Sequence, residues 1–251
     1  MKIISYEKKS YNKYKVKLDN DEVITLYDNV ILNNNLLITK EIEDIDKLLK
    51  ENDYYELYNK TIKYLGTKLR TRKEIYNHFK IKYEQDIIND VLDKIESEGY
   101  LNDDLYVKSY VNDQVNLSNN GYYKILRDLI NKDLDEDLIK EYLDNVSVDT
   151  WLNKIRKIVE KKIKANTKYS SSYLKEKILY DLNILGYDKS MILDVIGEYT
   201  IEESVDIFNK TYETIYNKLS KKYSGNELKV QLINKLMSKG FKYSEIKDKI
   251  K

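Results

Sequence analysis

The sequence predicts a mainly α fold built of tandem three-helix repeats, with a small N-terminal β-hairpin or β-sheet extension. Three observations predict it. A helix-sized apolar segment ends four times in a similar phrase, anchored at Phe79, Leu129, Leu182 and Leu236, at spacings of 50, 53 and 54 residues. Each anchor is followed by a reversal, written Lys82-Tyr83, Lys132-Asp133-Leu134, Gly186-Tyr187 and Lys239-Gly240-Phe241. The first 27 residues, by contrast, carry strand-like patterns and a turn. A fixed period of about 50 residues is the mark of a repeat architecture. Stacked helical units usually offer a partner one long surface rather than enclose a reaction pocket.

Ile3-Ile4-Ser5-Tyr6 opens the β-rich stretch, Tyr14–Leu18 alternates apolar and polar residues, and Val23–Leu26 follows. Asp19-Asn20-Asp21 between the last two has residue types that tolerate turn geometry, so the pair reads as a hairpin. A short helix or turn is expected at Asp28–Leu32. The sheet needs a packing partner, and the helix expected after Thr39, with Ile42, Ile45, Leu48 and Leu49 on one face, supplies it. From Asn52 onward the pattern is helical. Tyr58, Ile62, Leu65 and Leu69 share a face. Thr71-Arg72-Lys73-Glu74 has capping-box spacing before Ile75 and Phe79. Ile88, Val91, Leu92 and Ile95 form the next face, ending at Gly99. The third unit has Trp151, Ile155, Ile158, Val159 and Ile163, then a break at Tyr169–Ser172. Ser224-Gly225-Asn226-Glu227 repeats the capping-box spacing before Leu228, Leu232 and Leu236. The expected division is 1–52 (hairpin plus helix), then three-helix modules 53–101, 102–147, 148–199 and 200–251.

Composition narrows the function. The absence of cysteine removes disulfides, thiol nucleophiles and cysteine metal sites. A single histidine, His78, leaves no paired-histidine metal motif, and no phosphate-binding glycine loop occurs. Asp103-Asp104 and Asp135-Glu136-Asp137 fall at helix starts, where acids cap and suit the dipole. The N-terminus has no signal-peptide core and no long apolar run exists, so a cytoplasmic location away from membranes is expected. Net charge is only +1 but uneven: residues 102–147 hold five basic and ten acidic residues, whereas 148–199 hold ten and seven.

The segment Tyr64–Leu143 resembles the RecX family, bacterial regulators of the RecA recombinase. Thr71, Arg72, Lys73, Glu74 and Ile75 match the family's Ser/Thr-Arg-x-Glu-Leu helix start. Gly99-Tyr100-Leu101-Asn102-Asp103 matches its Gly-Tyr-Leu-(Asp/Asn)-Asp turn, and Gly121-Tyr122-Tyr123-Lys124-Ile125 its second glycine-led helix start. The stretch Tyr14–Leu37 is similar to the β-hairpin extension of Gram-positive members. The sequence departs where many relatives carry Arg at Tyr122 or Tyr123 and Glu at Asp128. The resemblance implies an elongated, curved molecule and a non-enzymatic, monomeric regulator without cofactor. It implies binding in the helical groove of RecA filaments on single-stranded DNA, mostly inhibiting ATPase, strand exchange and co-protease activity. Direct DNA contact is a further expectation, and a DNA-binding helical module acting without RecA is the alternative.

Candidate contact residues follow from charge and aromatic placement. Arg70, Arg72 and Lys73 cluster at one helix start, where the dipole disfavours cations and arginine can grip carboxylate or phosphate. Tyr122, Tyr123, Lys124 and Arg127 place aromatics beside cations, a combination suited to nucleic-acid stacking or a protein hot spot, although one tyrosine is expected to face the core. Lys161, Lys162, Lys164 and Lys168 form the densest basic run; they read first as a solvated helix face and second as a groove-facing DNA contact.

Overall fold

A computed structural model describes residues 1–201 and 205–250; residues 202–204 and 251 of the expected last module lie outside the described residues. Three strands, β1 (Ile3–Ser10), β2 (Lys13–Leu18) and β3 (Val23–Tyr27), form an antiparallel sheet in the order β1-β2-β3. Asp21, at φ 64°, turns β2 into β3, and Asn20 Oδ1 accepts from the Glu22 amide at 3.1 Å. Alternation puts Val16 and Leu18 on one face, both fully buried beside Leu26.

Helices α1 (Asp28–Asn33) and α2 (Leu36–Thr39) cover that face with Val30, Ile31 and Leu36. Helix α3 runs unbroken from Ile45 to Leu65. The helix expected after Thr39 and the first helix of the following module are thus one element. Its first half places Leu48 and Ile45 on the sheet core, and its second half packs Leu57, Tyr58 and Ile62 against the next cluster. Three side chains depart from the expected faces, the first being Leu49, which is exposed because it lies one residue past the buried Leu48 on the helix. Ile42 precedes the helix, because Lys40 takes a left-handed φ of 52° and the chain then pairs with the N-terminus, Ile42 N–H to Met1 O at 2.8 Å. Leu69 lies beyond the helix end and is 42% exposed.

The remaining elements are α4 (Arg72–Phe79), α5 (Gln85–Ser97), α6 (Asp103–Leu117), α7 (Tyr122–Ile130), α8 (Glu136–Asp144), α9 (Val148–Lys164), α10 (Ser171–Ile184), α11 (Lys189–Gly197), α12 (Val205–Leu219), α13 (Gly225–Met237) and α14 (Tyr243–Lys249). The Thr71–Glu74 capping box forms, with Glu74 N–H to Thr71 Oγ1 at 3.2 Å and Thr71 N–H to Glu74 Oε2 at 3.1 Å. The box expected at Ser224 does not: Ser224 starts α13 without a side-chain cap, and Gly225 takes a φ of 54°. Asp135, Ser147, Ser170 and Asp188 cap α8, α9, α10 and α11.

The chain divides into two compact units, residues 1–108 with 132–134, and 109–131 with 135 onward. The four periodic anchors Phe79, Leu129, Leu182 and Leu236 are all buried. Three of the reversals after them share a backbone feature, a positive φ of 60° at Asp133, 82° at Gly186 and 89° at Gly240. Each sits against the start of an earlier middle helix. In the first unit Asp133 pairs with Lys73 on α4 at 2.8 Å. In the second, the Leu185 and Gly186 carbonyls accept from the Gly121 and Tyr123 amides at 2.7 and 2.9 Å, and the Lys239 carbonyl accepts from the Ser170 amide at 3.1 Å. Helix starts leave amides without intrahelical partners. The turn of a later repeat satisfies some of those at α7 and α10.

Candidate partner interface

Around α4 the cations are turned on their own chain. Arg72 donates from Nη2 to Asp93 Oδ1 at 2.6 Å and from Nη1 to Glu96 Oε2 at 2.8 Å, tying α4 to α5. Those carboxylates offset the cost of a cation at a helix start. Lys73 is held by Asp133. Arg70 lies 3.6 Å from the ring centre of Tyr64, which also stacks on His78 at 4.1 Å and 7°. Two planar groups that close to one centroid must occupy opposite faces, so Tyr64 is sandwiched. Burial opposes ionisation of Glu74, but the Lys132 ammonium and the Thr71 amide outweigh it and hold the carboxyl below its ordinary range.

Helix α7 divides its candidates by face. Tyr122 is half-buried, its ring edge-on to Trp151 at 6.5 Å and its hydroxyl donating to Asp144 Oδ1 at 2.8 Å. Tyr123 is 53% exposed, so the tyrosine facing inward is Tyr122. A cleft of about 500 Å³ opens between them, lined by Leu126, Trp151, Tyr187 and Met191 as well. Lys124 and Arg127 make no ion pair or side-chain hydrogen bond among the described residues.

Burial, then the Asp144 contact, pushes the Tyr122 phenol up to about 12 from an ordinary 10. Folding therefore favours the protonated form. That contribution is complete below pH 10, where unfolded tyrosine is also protonated, and is lost as pH rises toward 12. Tyr122→Phe is expected to lose a little stability at neutral pH and to show a shallower decline above pH 10 than the parent. Denaturant midpoints measured from pH 8 to 12 check this, and an unchanged alkaline slope would show that folding does not hold the Tyr122 phenol protonated.

On α9 the basic residues separate into paired and free. Lys154 Nζ donates to the Gln114 and Val115 carbonyls at 3.1 and 2.7 Å, closing the C-terminal end of α6. Arg156 grips Glu198 through two bonds of 2.8 and 2.7 Å. Lys162 pairs with Asp181 at 2.5 Å. Lys161 and Lys164 are exposed and unpaired among the described residues, as is Lys157, which the sequence reading did not single out. Positions 157, 161 and 164 follow i, i+4, i+7 spacing, a helical signal that could have found Lys157. Lys168 lies off the helix, its ammonium 5.2 Å from the Tyr169 ring centre.

No family model matches the chain. Across its whole length, however, it is similar to the regulatory protein RecX of Streptococcus agalactiae serotype III (strain NEM316), 31% identical over 265 residues that cover 100% of this chain and 99% of that protein. The chain belongs to the RecX family. The RecX protein of Staphylococcus haemolyticus (strain JCSC1435) is 28% identical over 99% of this chain and 96% of its own length. A crystal structure of regulatory protein RecX superposes with a TM-score of 0.66 at 20% identity, covering 79% of this chain and 100% of that one, which speaks to the fold alone. RecX from Lactobacillus salivarius gives 0.53 at 26% identity over 59% of this chain and 97% of its own. The RecX resemblance read from Thr71–Ile75 and Gly99–Asp103 therefore extends across both compact units. Among the described residues no helix is long and apolar enough to cross a membrane.

Proposed function

We propose that this RecX-family protein is a non-enzymatic regulator of RecA, binding RecA filaments along their helical groove and lowering ATP turnover, strand exchange and co-protease activity. The observation that carries the reading is full-length similarity to curated proteins named regulatory protein RecX. The repeating units, taken as 53–101, 102–147, 148–199 and 200–251, act as successive weak contacts that add by multivalency. Lys124, Arg127, Lys161 and Lys164 are favoured as contacts, since among the described residues no carboxylate must be displaced first. Arg72, Lys73 and Lys162 are less favoured, because each would have to leave an existing ion pair. The protein acts in the cytoplasm as a monomer, and any contact to DNA is carried by the same four cations.

Single-stranded-DNA-dependent ATP hydrolysis by RecA, with this protein substoichiometric, tests the proposal. Inhibition is expected, and Lys124→Glu with Arg127→Glu should raise the half-inhibitory concentration about tenfold, equivalent to ~1.4 kcal/mol. Arg72→Ala should move it less. An unchanged RecA rate and filament lifetime would sink the reading. Tight duplex binding without RecA, with a steep salt slope, would instead move the function to a DNA-binding module.

A further inference from the structure

Within the second unit, a cleft of about 610 Å³ lies against α12 and the loop before α10, lined by Lys168, Lys210, Thr211, Thr214 and Lys239. Three of its lining residues are lysines. Several partly buried lysines have a counter-group, Lys132 in Glu74, Lys162 in Asp181 and Lys154 in two carbonyls, whereas Lys13 and Lys124 have none among the described residues. Lys239 is also partly buried, yet it makes no ion pair among the described residues. Its ammonium lies 4.9 Å from the Tyr169 ring centre, and that of Lys168 lies 5.2 Å from the same centre. Two like charges are thus gathered at one ring, and Lys210 adds a third to the cleft. Glu213 is the one carboxylate in the lining, and it pairs with none of them.

A second observation is independent of charge. Thr211 is only 6% exposed, and its hydroxyl has no hydrogen-bond partner among the described residues. Thr61 and Thr214 return their hydroxyl to the carbonyl four residues earlier, Leu57 at 2.8 Å and Lys210 at 2.8 Å, and the Thr150 hydroxyl bonds that of Ser147 at 2.8 Å. Thr211 does neither. An orphaned buried hydroxyl is costly to keep. Lining a lysine-rich cleft, it is a donor available to an anion after a small side-chain adjustment.

We infer that this cleft binds a phosphate group, gripped by Lys168, Lys210 and Lys239 and accepting a hydrogen bond from the Thr211 hydroxyl. Ammonium groups are strong partners for phosphate oxygens, and a hydroxyl completes the donor set. The phosphate can belong to a nucleic-acid strand or to a free phosphate species; the chemistry at the cleft is the same.

The test uses the full chain without RecA, so it stands apart from the filament reading. Thermal unfolding is followed in inorganic phosphate and in chloride of equal ionic strength, and anisotropy follows a labelled oligothymidine. Phosphate is expected to raise the melting temperature of the parent by about 3 °C at tenfold excess over its dissociation constant. Lys168→Gln with Lys239→Gln should abolish that rise. Thr211→Val, which keeps shape and removes the orphan hydroxyl, should fold at least as well and reduce the rise. If the lysine variant also binds oligothymidine at least tenfold more weakly, the source is a strand; if oligothymidine binding is unchanged while the phosphate response is lost, the source is a free phosphate species. No phosphate-specific rise in the parent, or an equal rise in the lysine variant, overturns the proposal.

Discussion

Leu129→Asp is expected to abolish the native packing of α7 and α8 under conditions where the parent chain is folded. Leu129 has no exposure, and neither does Ile125 one turn earlier on the same face of α7. Removing a buried leucine costs about 2–5 kcal/mol through lost burial and the cavity left behind. The introduced carboxylate then meets an apolar interior, at several kcal/mol more unless it takes up a proton or escapes to water. Against a total stability of about 5–15 kcal/mol for an ordinary domain, the sum removes most or all of the margin. Hydrogen exchange resolved by segment should show protection lost across Tyr122–Ile130 and Glu136–Asp144, with a matching fall in helical circular dichroism. Parent-like protection in those two helices would show that Leu129 is not the core position described.

The second large effect is expected at Gly186. Its φ of 82° lies in the left-handed region, and a Cβ there would collide with the backbone nitrogen and Cβ of Lys124. The collision is with main chain, which cannot swing aside as a long side chain can. Gly186→Val therefore combines backbone strain of about 1–3 kcal/mol with overpacking of similar size. It also pulls the Gly186 carbonyl away from the Tyr123 amide. A destabilisation of about 3–4 kcal/mol, or roughly 10 °C in melting temperature, is expected. Gly197→Ala is the matched control, since it ends α11 with no atom within 4 Å of the added methyl group. It should melt at or slightly above the parent temperature, because alanine suits a helix better than glycine. Equal melting temperatures for the two variants would refute the docking role of the Gly186 turn.

Much of the fold was legible along the chain. Val16 and Leu18 announced their shared face by alternation, and Thr71 with Glu74 announced a cap by spacing. The anchors from Phe79 to Leu236 announced a repeat. The failures are equally local in origin. Ile42 has helical spacing from Ile45, but Lys40 turns left-handed and the segment pairs with Met1. Ser224 has a capping residue's chemistry, but the backbone at Gly225 takes it out of reach. Spacing records which residues can share a face, and it does not record where the helix begins.

The candidate interface was legible only as an inventory of cations. Arg72 and Lys124 look alike in sequence, yet among the described residues one is held by two carboxylates and the other by none. The partners of Arg72 stand 21 and 24 residues away, and that of Lys73 stands 60 away. No local pattern reveals such pairings. The four recurring anchors and their reversals, the family phrases and the helical faces were determined by the sequence alone, because periodicity, capping and turn preference act over a few neighbouring residues. The tertiary structure alone decided that three reversals take positive φ and meet an earlier helix start, which lysines are neutralised, and that Thr211 lies, among the described residues, without a partner beside unpaired ammoniums. Those outcomes depend on groups distant in sequence sharing a space too small for all of them to be solvated.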